Sequence, residues 1–164
     1  MKNKKKKNRV IDPLYSSGKF HEESSKNNND AKFKSECFTK LLFRILDKYK
    51  LKINSYTDVG CGNGQVIKLV RDSYNLKYKK KLDKICGFDI HPFIKEIRDD
   101  EITFVQNDFL ESKEYFDLVT LFDVIEHVVS PIDFLKSVSE KSCFIGLHIP
   151  LDNNFNIMFR NLFR

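Results

Sequence analysis

The chain lacks the features that mark exported or membrane-bound proteins. None of its 164 residues fall in an apolar run near the roughly 18 that a membrane span requires. The lysine-rich start imitates the n-region of a signal peptide, but Val10 and Ile11 are followed at once by Asp12 and Pro13, so there is no apolar core to complete it. Lys2 stands where N-myristoylation needs a glycine. The four cysteines, Cys37, Cys61, Cys86 and Cys143, include no C-x-x-C pair, and a chain of this length buries a core without staples, so reduced thiols are expected. Together these absences predict a soluble, cytoplasmic protein. An excess of positive charge is also missing from most of the chain. The net +6 comes from 29 Lys and Arg against 23 Asp and Glu, and Lys2, Lys4, Lys5, Lys6, Lys7 and Arg9 supply six of the cations. Beyond them the chain is neutral, with 23 of each sign, so the basic pI describes a tail and gives no ground for a nucleic-acid-binding domain.

What is present is the balance of one globular domain, 41% hydrophobic and 32% charged. Residues 1–30 are rich in Lys, Asn and Ser, with too few apolar side chains to offset ordering, and are expected to form a disordered arm ahead of a domain over 31–164. From Phe33 the pattern turns helical: Phe33, Cys37, Phe38, Leu41, Leu42, Ile45, Leu46 and Tyr49 recur at three- and four-residue spacing, with Asp30 placed to cap the helix. Strands are then expected at Ser55 to Val59, Lys84 to Ile90, Ile102 to Gln106, Phe116 to Phe122 and Ser142 to Ile149. Helical patterns fall between them, at Gln65 to Tyr74 with Val66, Ile67, Leu69 and Val70 inward, after Pro92, and after Ser130-Pro131-Ile132-Asp133, which reads as a capping box. Strands separated by helices predict right-handed crossovers and a mostly parallel α/β sheet covered on both faces.

Glycine is scarce, yet three of the six glycines fall within five residues, in Asp58-Val59-Gly60-Cys61-Gly62-Asn63-Gly64, where the first strand passes into its helix. Glycines there permit positive φ and close approach of a ligand to the backbone, beside a helix N-terminus. The spacing is G-x-G-x-G rather than the G-x-G-x-x-G of dinucleotide sites. Asp58, two residues before the first glycine, disfavours a pyrophosphate and suits a ligand bearing an ammonium and a sulfonium. Asp89 ends the second strand, where an acidic side chain accepts hydrogen bonds from ribose hydroxyls. Asp108 follows the third strand, placed to accept from an adenine amino group while the backbone N–H of Phe109 meets the ring.

These motifs, D-V-G-C-G-N-G at 58–64, G-F-D-I at 87–90, N-D-F at 107–109 and F-D-L-V-T-L-F-D-V-I-E-H-V at 116–128, resemble the class I S-adenosylmethionine-dependent methyltransferases over roughly Phe33 to Pro150. The resemblance implies a Rossmann-like, doubly wound sheet ordered 3-2-1-4-5 and S-adenosylmethionine as cofactor. It implies cofactor contacts from Asp58, Gly60, Cys61, Gly62, Gly64, Asp89, Ile90, Asp108, Phe109 and Asp123. The sequences His21-Glu22-Glu23-Ser24 and His148-Ile149-Pro150-Leu151-Asp152 look like a bacterial subgroup associated with small-molecule or cell-surface sugar modification, so a small-molecule acceptor, sugars included, is expected, with O-methylation the expected chemistry.

Asp123, Glu126 and His127 follow the fourth strand at the mouth of the expected site. His127 reads as a general base or substrate contact, because imidazole exchanges protons near neutral pH. Two alternatives stand beside it. Ubiquinone-pathway O-methyltransferases and small-RNA 2′-O-methyltransferases look similar here, which implies a divalent metal on all three residues; equally, Glu126 and His127 would serve only to hold loops over the cofactor. An RNA 2′-O-methyltransferase and a non-catalytic nucleoside-binding module are the competing functions. The family sheet has seven strands, and only fifteen residues follow Ile149, with Phe155, Met158, Phe159, Leu162 and Phe163 spaced as an amphipathic helix. The last two strands are therefore expected to be missing, leaving strand five as an open edge and a route to self-association.

Overall fold

The computed structural model describes residues 28–150, with the side chain of Asn28 excepted. In order these form α1 (Asn28–Tyr49), β1 (Ser55–Val59), α2 (Gln65–Tyr78), β2 (Lys84–Asp89), β3 (Thr103–Gln106), β4 (Phe116–Phe122), α3 (Pro131–Ser139) and β5 (Ser142–His148). The five strands are all parallel, as the crossover pattern predicts, and lie in the order β3-β2-β1-β4-β5 that the family resemblance implies. Short 3₁₀ turns occupy Pro92–Glu96, Phe109–Glu111 and Ile125–His127. The expected basic arm lies outside the described residues except for 28–30, which are helical. The apolar stripe at 155–163 also lies outside them.

Both faces of the sheet are covered, which is why the strands read as nearly continuous apolar runs. On one face α1 and α2 supply Leu42, Leu46, Ile67, Val70 and Tyr74, packed on Tyr56, Ile85 and Leu118. On the other, Val138 of α3 and Phe109 pack on Val59, Cys86, Phe88, Phe116, Val119 and Leu121. Burying each of the larger of these side chains contributes about 1.5–3 kcal/mol. In β5, Gly146 lets α1 come close: a Cβ there would sit 2.4 Å from the Phe38 ring. Phe38 in turn meets Phe122 edge-on at 5.4 Å, so α1 is seated over the carboxyl ends of β4 and β5.

Several local expectations are corrected. Helix α1 begins at Asn28, so Asp30 lies in its first turn rather than capping it, and the expected boundary at 30/31 falls inside the helix. Of its apolar residues Leu42 and Leu46 are buried, whereas Phe33, Cys37, Leu41, Ile45 and Tyr49 face outward and the small Ala31, Ser35 and Thr39 are buried in their place. The apolar residues span more than one face, and contact with α2 and β5 selects which is inside. In α2, Leu69 is only partly buried, and Tyr74 completes the inner face. The segment after Pro92 makes a 3₁₀ turn with only Ile94 buried, too little apolar anchoring for a full helix. At α3 the Ser130 hydroxyl bonds Asp133 Oδ2 at 2.7 Å instead of a backbone N–H, so the capping box is not formed. The second and fifth strands stop one residue early and the third begins one late. Among the described residues β5 pairs with β4 alone, and no helix is long and apolar enough to cross a membrane.

Candidate functional site

The glycine turn is built by its own backbone and by β2. Gly60, Gly62 and Gly64 take φ of +74°, +53° and +76°, conformations that side chains with a Cβ resist. The N–H groups of Gly60 and Cys61 both donate to the Phe88 carbonyl, at 2.7 and 3.1 Å, and Gly62 N–H donates to Asp89 Oδ2 at 2.8 Å. Asp89 Oδ1 accepts from His91 N–H at 2.8 Å. The carboxylate is thereby fixed by one backbone donor on each oxygen, and each oxygen keeps acceptor capacity for a further partner.

One cavity of about 260 Å³ opens at the carboxyl ends of β1, β2 and β4, the edge where open parallel sheets bind ligands. Asp58, Gly60, Cys61, Gly62, Asp89, Ile90, Asp108, Phe109, Asp123 and His127 all line it. The fold thus gathers residues from sequence positions 58 to 127 around one space. Of the expected set only Gly64 is not in the lining. It opens α2, where a Cβ would lie 2.8 Å from Phe104, so packing also requires glycine there. Lining residues missed by sequence reasoning are Asp30 and Lys34 of α1, together with Asn63, Gln65, His91 and Asn107. Asn63, His91 and Asn107 neighbour recognised motifs and were legible by position. Asp30 and Lys34 carried no local signal.

Asp58 is fully buried, and its Oδ1 accepts from the Thr120 hydroxyl at 2.6 Å, while Tyr56 OH lies 3.0 Å from the same hydroxyl. Burial pushes the Asp58 carboxyl up to about 7, against the Thr120 hydrogen bond and with help from the charges of Asp89 and Asp123. Burial likewise holds the Cys61 thiol well above its usual range, with Asp58 and Asp89 adding to it, so Cys61 is a neutral wall and not a nucleophile. Asp108 Oδ1 caps the following 3₁₀ turn by accepting from Leu110 N–H at 2.9 Å, so its capping role is real while it also lines the cavity. Phe109 also lines the cavity, and its ring is buried against Phe88.

At the end of β4, Asp123 has φ +55°, an uncommon conformation for a non-glycine residue. Its carboxylate pairs with Lys34 through Oδ2 and with His148 Nδ1 at 2.7 Å through Oδ1, and its N–H donates to the His148 carbonyl. Burial pulls the Lys34 ammonium down, but hydrogen bonds to Asp123 and Asp30 outweigh it and leave its pKa raised. Asp123 is thus paired with Lys34 and His148 rather than with Glu126 and His127. Among the described residues no group of three or more His, Cys, Asp and Glu is arranged to hold an ion. Glu126 and His127 remain adjacent, with His127 Nε2 3.8 Å from Glu126 Oε1, and both Glu126 oxygens are buried without a hydrogen-bond partner.

The acceptors and apolar walls of this cavity fit an adenosine bearing a positively charged tail: Asp89 retains lone pairs for ribose hydroxyls, and Ile90, Phe88 and Val59 offer apolar surface. Five parallel strands with a glycine turn after the first and an acidic residue at the end of the second define a Rossmann-like nucleoside-binding fold. A family model described as a methyltransferase domain matches residues 26–142, so the chain belongs to that family. The fold is shared with the plantazolicin methyltransferase BpumL, solved with a monoazolic desmethylPZN analog and SAH, at TM-score 0.57 and 17% identity over 73% of this chain and 46% of that one. It is shared also with magnesium protoporphyrin IX methyltransferase (ChlM) from Synechocystis PCC 6803 with bound SAH, at TM-score 0.59 and 12% identity over 91% of this chain and 74% of that one. The chain spans about half the length of the plantazolicin methyltransferases it matches. No curated protein sequence matches it.

Proposed function

We propose that the protein is an S-adenosylmethionine-dependent methyltransferase that methylates a hydroxyl of a small molecule, sugars among the candidate acceptors. The observation that carries this reading is the convergence of Asp58, Asp89 and Asp108 with the glycine turn on one cavity. When bound, S-adenosylmethionine supplies a methyl group on a sulfonium, already activated for displacement. The chain's part is to bind, orient and remove a proton. Asp89 accepts from the ribose, Asp108 and the Phe109 backbone meet the base, Ile90 covers it, and Asp58 with Asp123 favours the cationic tail. The acceptor lies on the His127 side, and His127 takes its hydroxyl proton. The sealed carboxylate of Glu126, 3.8 Å away, then stabilises the imidazolium so formed. The four free cysteines, two of them buried in the core, accord with a reducing cytoplasm.

The test is transfer of labelled methyl from S-adenosylmethionine to a panel of small hydroxyl compounds, sugars and RNA. Label in a small hydroxyl acceptor, dependent on His127, supports the reading. Label in RNA alone replaces the acceptor class, and tight binding of S-adenosylhomocysteine without transfer to any acceptor leaves a nucleoside-binding module.

A further inference from the structure

We propose that the lysine-rich end of the molecule, opposite the cavity, docks on an anionic lipid surface, with Leu76 and Tyr49 entering the headgroup layer. This docking is independent of the ligand in the cavity.

Charge in the folded chain is segregated by end. At the carboxyl ends of the strands five aspartates, Asp30, Asp58, Asp89, Asp108 and Asp123, line the cavity, with Lys34 the one lysine or arginine among the described lining residues. The amino ends lie roughly 20 Å away along the strands. There the two connections that enter β1 and β2 run side by side. The Asn54 carbonyl accepts from Asp83 N–H at 2.7 Å, and the Asn54 side-chain oxygen accepts from Lys80 at 2.9 Å. Asp47 of α1 meets Lys77 and Tyr78 of α2 at 3.0 and 2.9 Å. These contacts gather Lys48, Lys50 and Lys52 from α1 and its exit with Lys77 and Lys79 to Lys81 from α2 and its exit, all of them exposed. Asp47 pairs with Lys77 and Glu101 with Lys81; among the described residues the others have no carboxylate partner.

Two observations set this patch apart from ordinary solvated surface. The helix dipole accounts for Lys48 and Lys77, which stand in the last turns of α1 and α2, but the remaining lysines lie beyond the helix ends. Lys50 and Lys79 hold φ of +54° and +52°, the left-handed conformation that closes a helix, where glycine is the ordinary occupant and a Cβ is strained. Backbone energetics favours glycine at both positions, so the charges there point to a partner outside the chain. The second observation is apolar. Leu76, next to Lys77, is 71% exposed, more than any other large apolar side chain among the described residues, and Tyr49 is 59% exposed with the Lys48 ammonium 5.0 Å from its ring centre. A bare leucine offers nothing to the charged backbone of a nucleic acid, and the patch lysines are not the planar arginines that suit phosphates in fixed geometry. Lysines are point charges on flexible stems, matched to a fluid layer of anionic headgroups, and a leucine and a tyrosine among them bury apolar surface at the boundary with the acyl chains. The cavity opens at the other end of the strands, so the docked molecule keeps its mouth toward solvent.

The experiment is flotation of the full chain with vesicles of phosphatidylcholine alone or of an equal mixture of phosphatidylcholine and phosphatidylglycerol. The wild type is expected to float with the anionic vesicles only and to be released by high salt. Each lysine near such a surface is worth about a fivefold change in partition, so the double substitution Lys50→Gly and Lys79→Gly should weaken binding about 25-fold. The same protein should melt no lower than the wild type, because glycine relieves the left-handed φ at both positions. Leu76→Gln, which changes no charge, should weaken binding about tenfold. Anionic-vesicle binding that both variants leave unchanged would be the work of the lysine-rich start of the chain, Lys2 to Arg9, and would overturn the proposal. Equal binding to neutral vesicles overturns it too, as does a wild type that floats with neither. Binding of single-stranded RNA without binding of vesicles would assign the patch to a nucleic acid instead.

Discussion

Replacing Asp58 with Asn tests the electrostatics of the site directly. Asp58 is fully buried beside Asp89 and Asp123, and its carboxyl is raised from an ordinary 3.8 to about 7. In the native protein it therefore keeps a proton that the unfolded chain releases. Between those values the unfolded state binds fewer protons than the native state, so stability is full below about pH 4 and falls as pH rises through about 7. A shift of about three units at about 1.36 kcal/mol each sets an upper figure of about 4 kcal/mol for the loss. Asparagine keeps the shape and the oxygen that accepts from Thr120 but carries no charge at any pH. Urea unfolding of both proteins from pH 4 to pH 8 isolates the effect, because every other titrating group is common to both. Relative to Asp58→Asn, the wild type should lose several kcal/mol across that range. A constant difference between the two profiles would refute the reasoning. The same shift predicts that a cationic ligand favours ionised Asp58, so wild-type affinity for S-adenosylmethionine should rise from pH 6 to pH 8 while that of Asp58→Asn stays level.

Removing Asp89 with Ala should weaken S-adenosylhomocysteine binding roughly ten- to a hundredfold by calorimetry, since it deletes charge-assisted acceptors; unchanged affinity in a folded variant would end that assignment. His127→Ala should lower turnover with cofactor affinity nearly intact, and unaffected turnover would remove it from the reaction. Gly60→Ala places a Cβ 2.6 Å from Val124 Cγ2 at φ +74°, and should lower stability by about 1–3 kcal/mol in a denaturant titration. The exposed Leu147 and Ile149 at the β5 end are expected to promote self-association, which Leu147→Lys should reduce in light scattering; a wild-type monomer at all concentrations would argue against it.

The parallel sheet, the glycine turn and the acidic residues at the ends of β1 and β2 and just beyond β3 were legible in the sequence as local patterns, and the strand order followed from the resemblance those motifs carry. Alternating short apolar runs and helical spacing select a parallel sheet, and once the sheet is parallel its carboxyl edge brings Asp58, Asp89 and Asp108 together. Three glycines at alternate positions report positive φ wherever the chain lies. Other features depended on residues distant in sequence meeting in space. Helix α1 has apolar side chains around more than half its circumference, and only Gly146 and Phe122, on strands far along the chain, decide that Phe38 faces inward. Asp58 reads as an anion in the sequence; its proton is set by the depth of β1 and by Asp89 and Asp123 across the cavity. Asp123 reads as a free ligand beside Glu126 and His127, yet Lys34 and His148, 89 and 25 residues away, already occupy its carboxylate. Periodicity and motif spacing thus determine the backbone frame, because they record each residue's neighbours along the chain. Charge state and partnership belong to the tertiary structure, because burial and Coulomb energy depend on distances that spacing in sequence does not record.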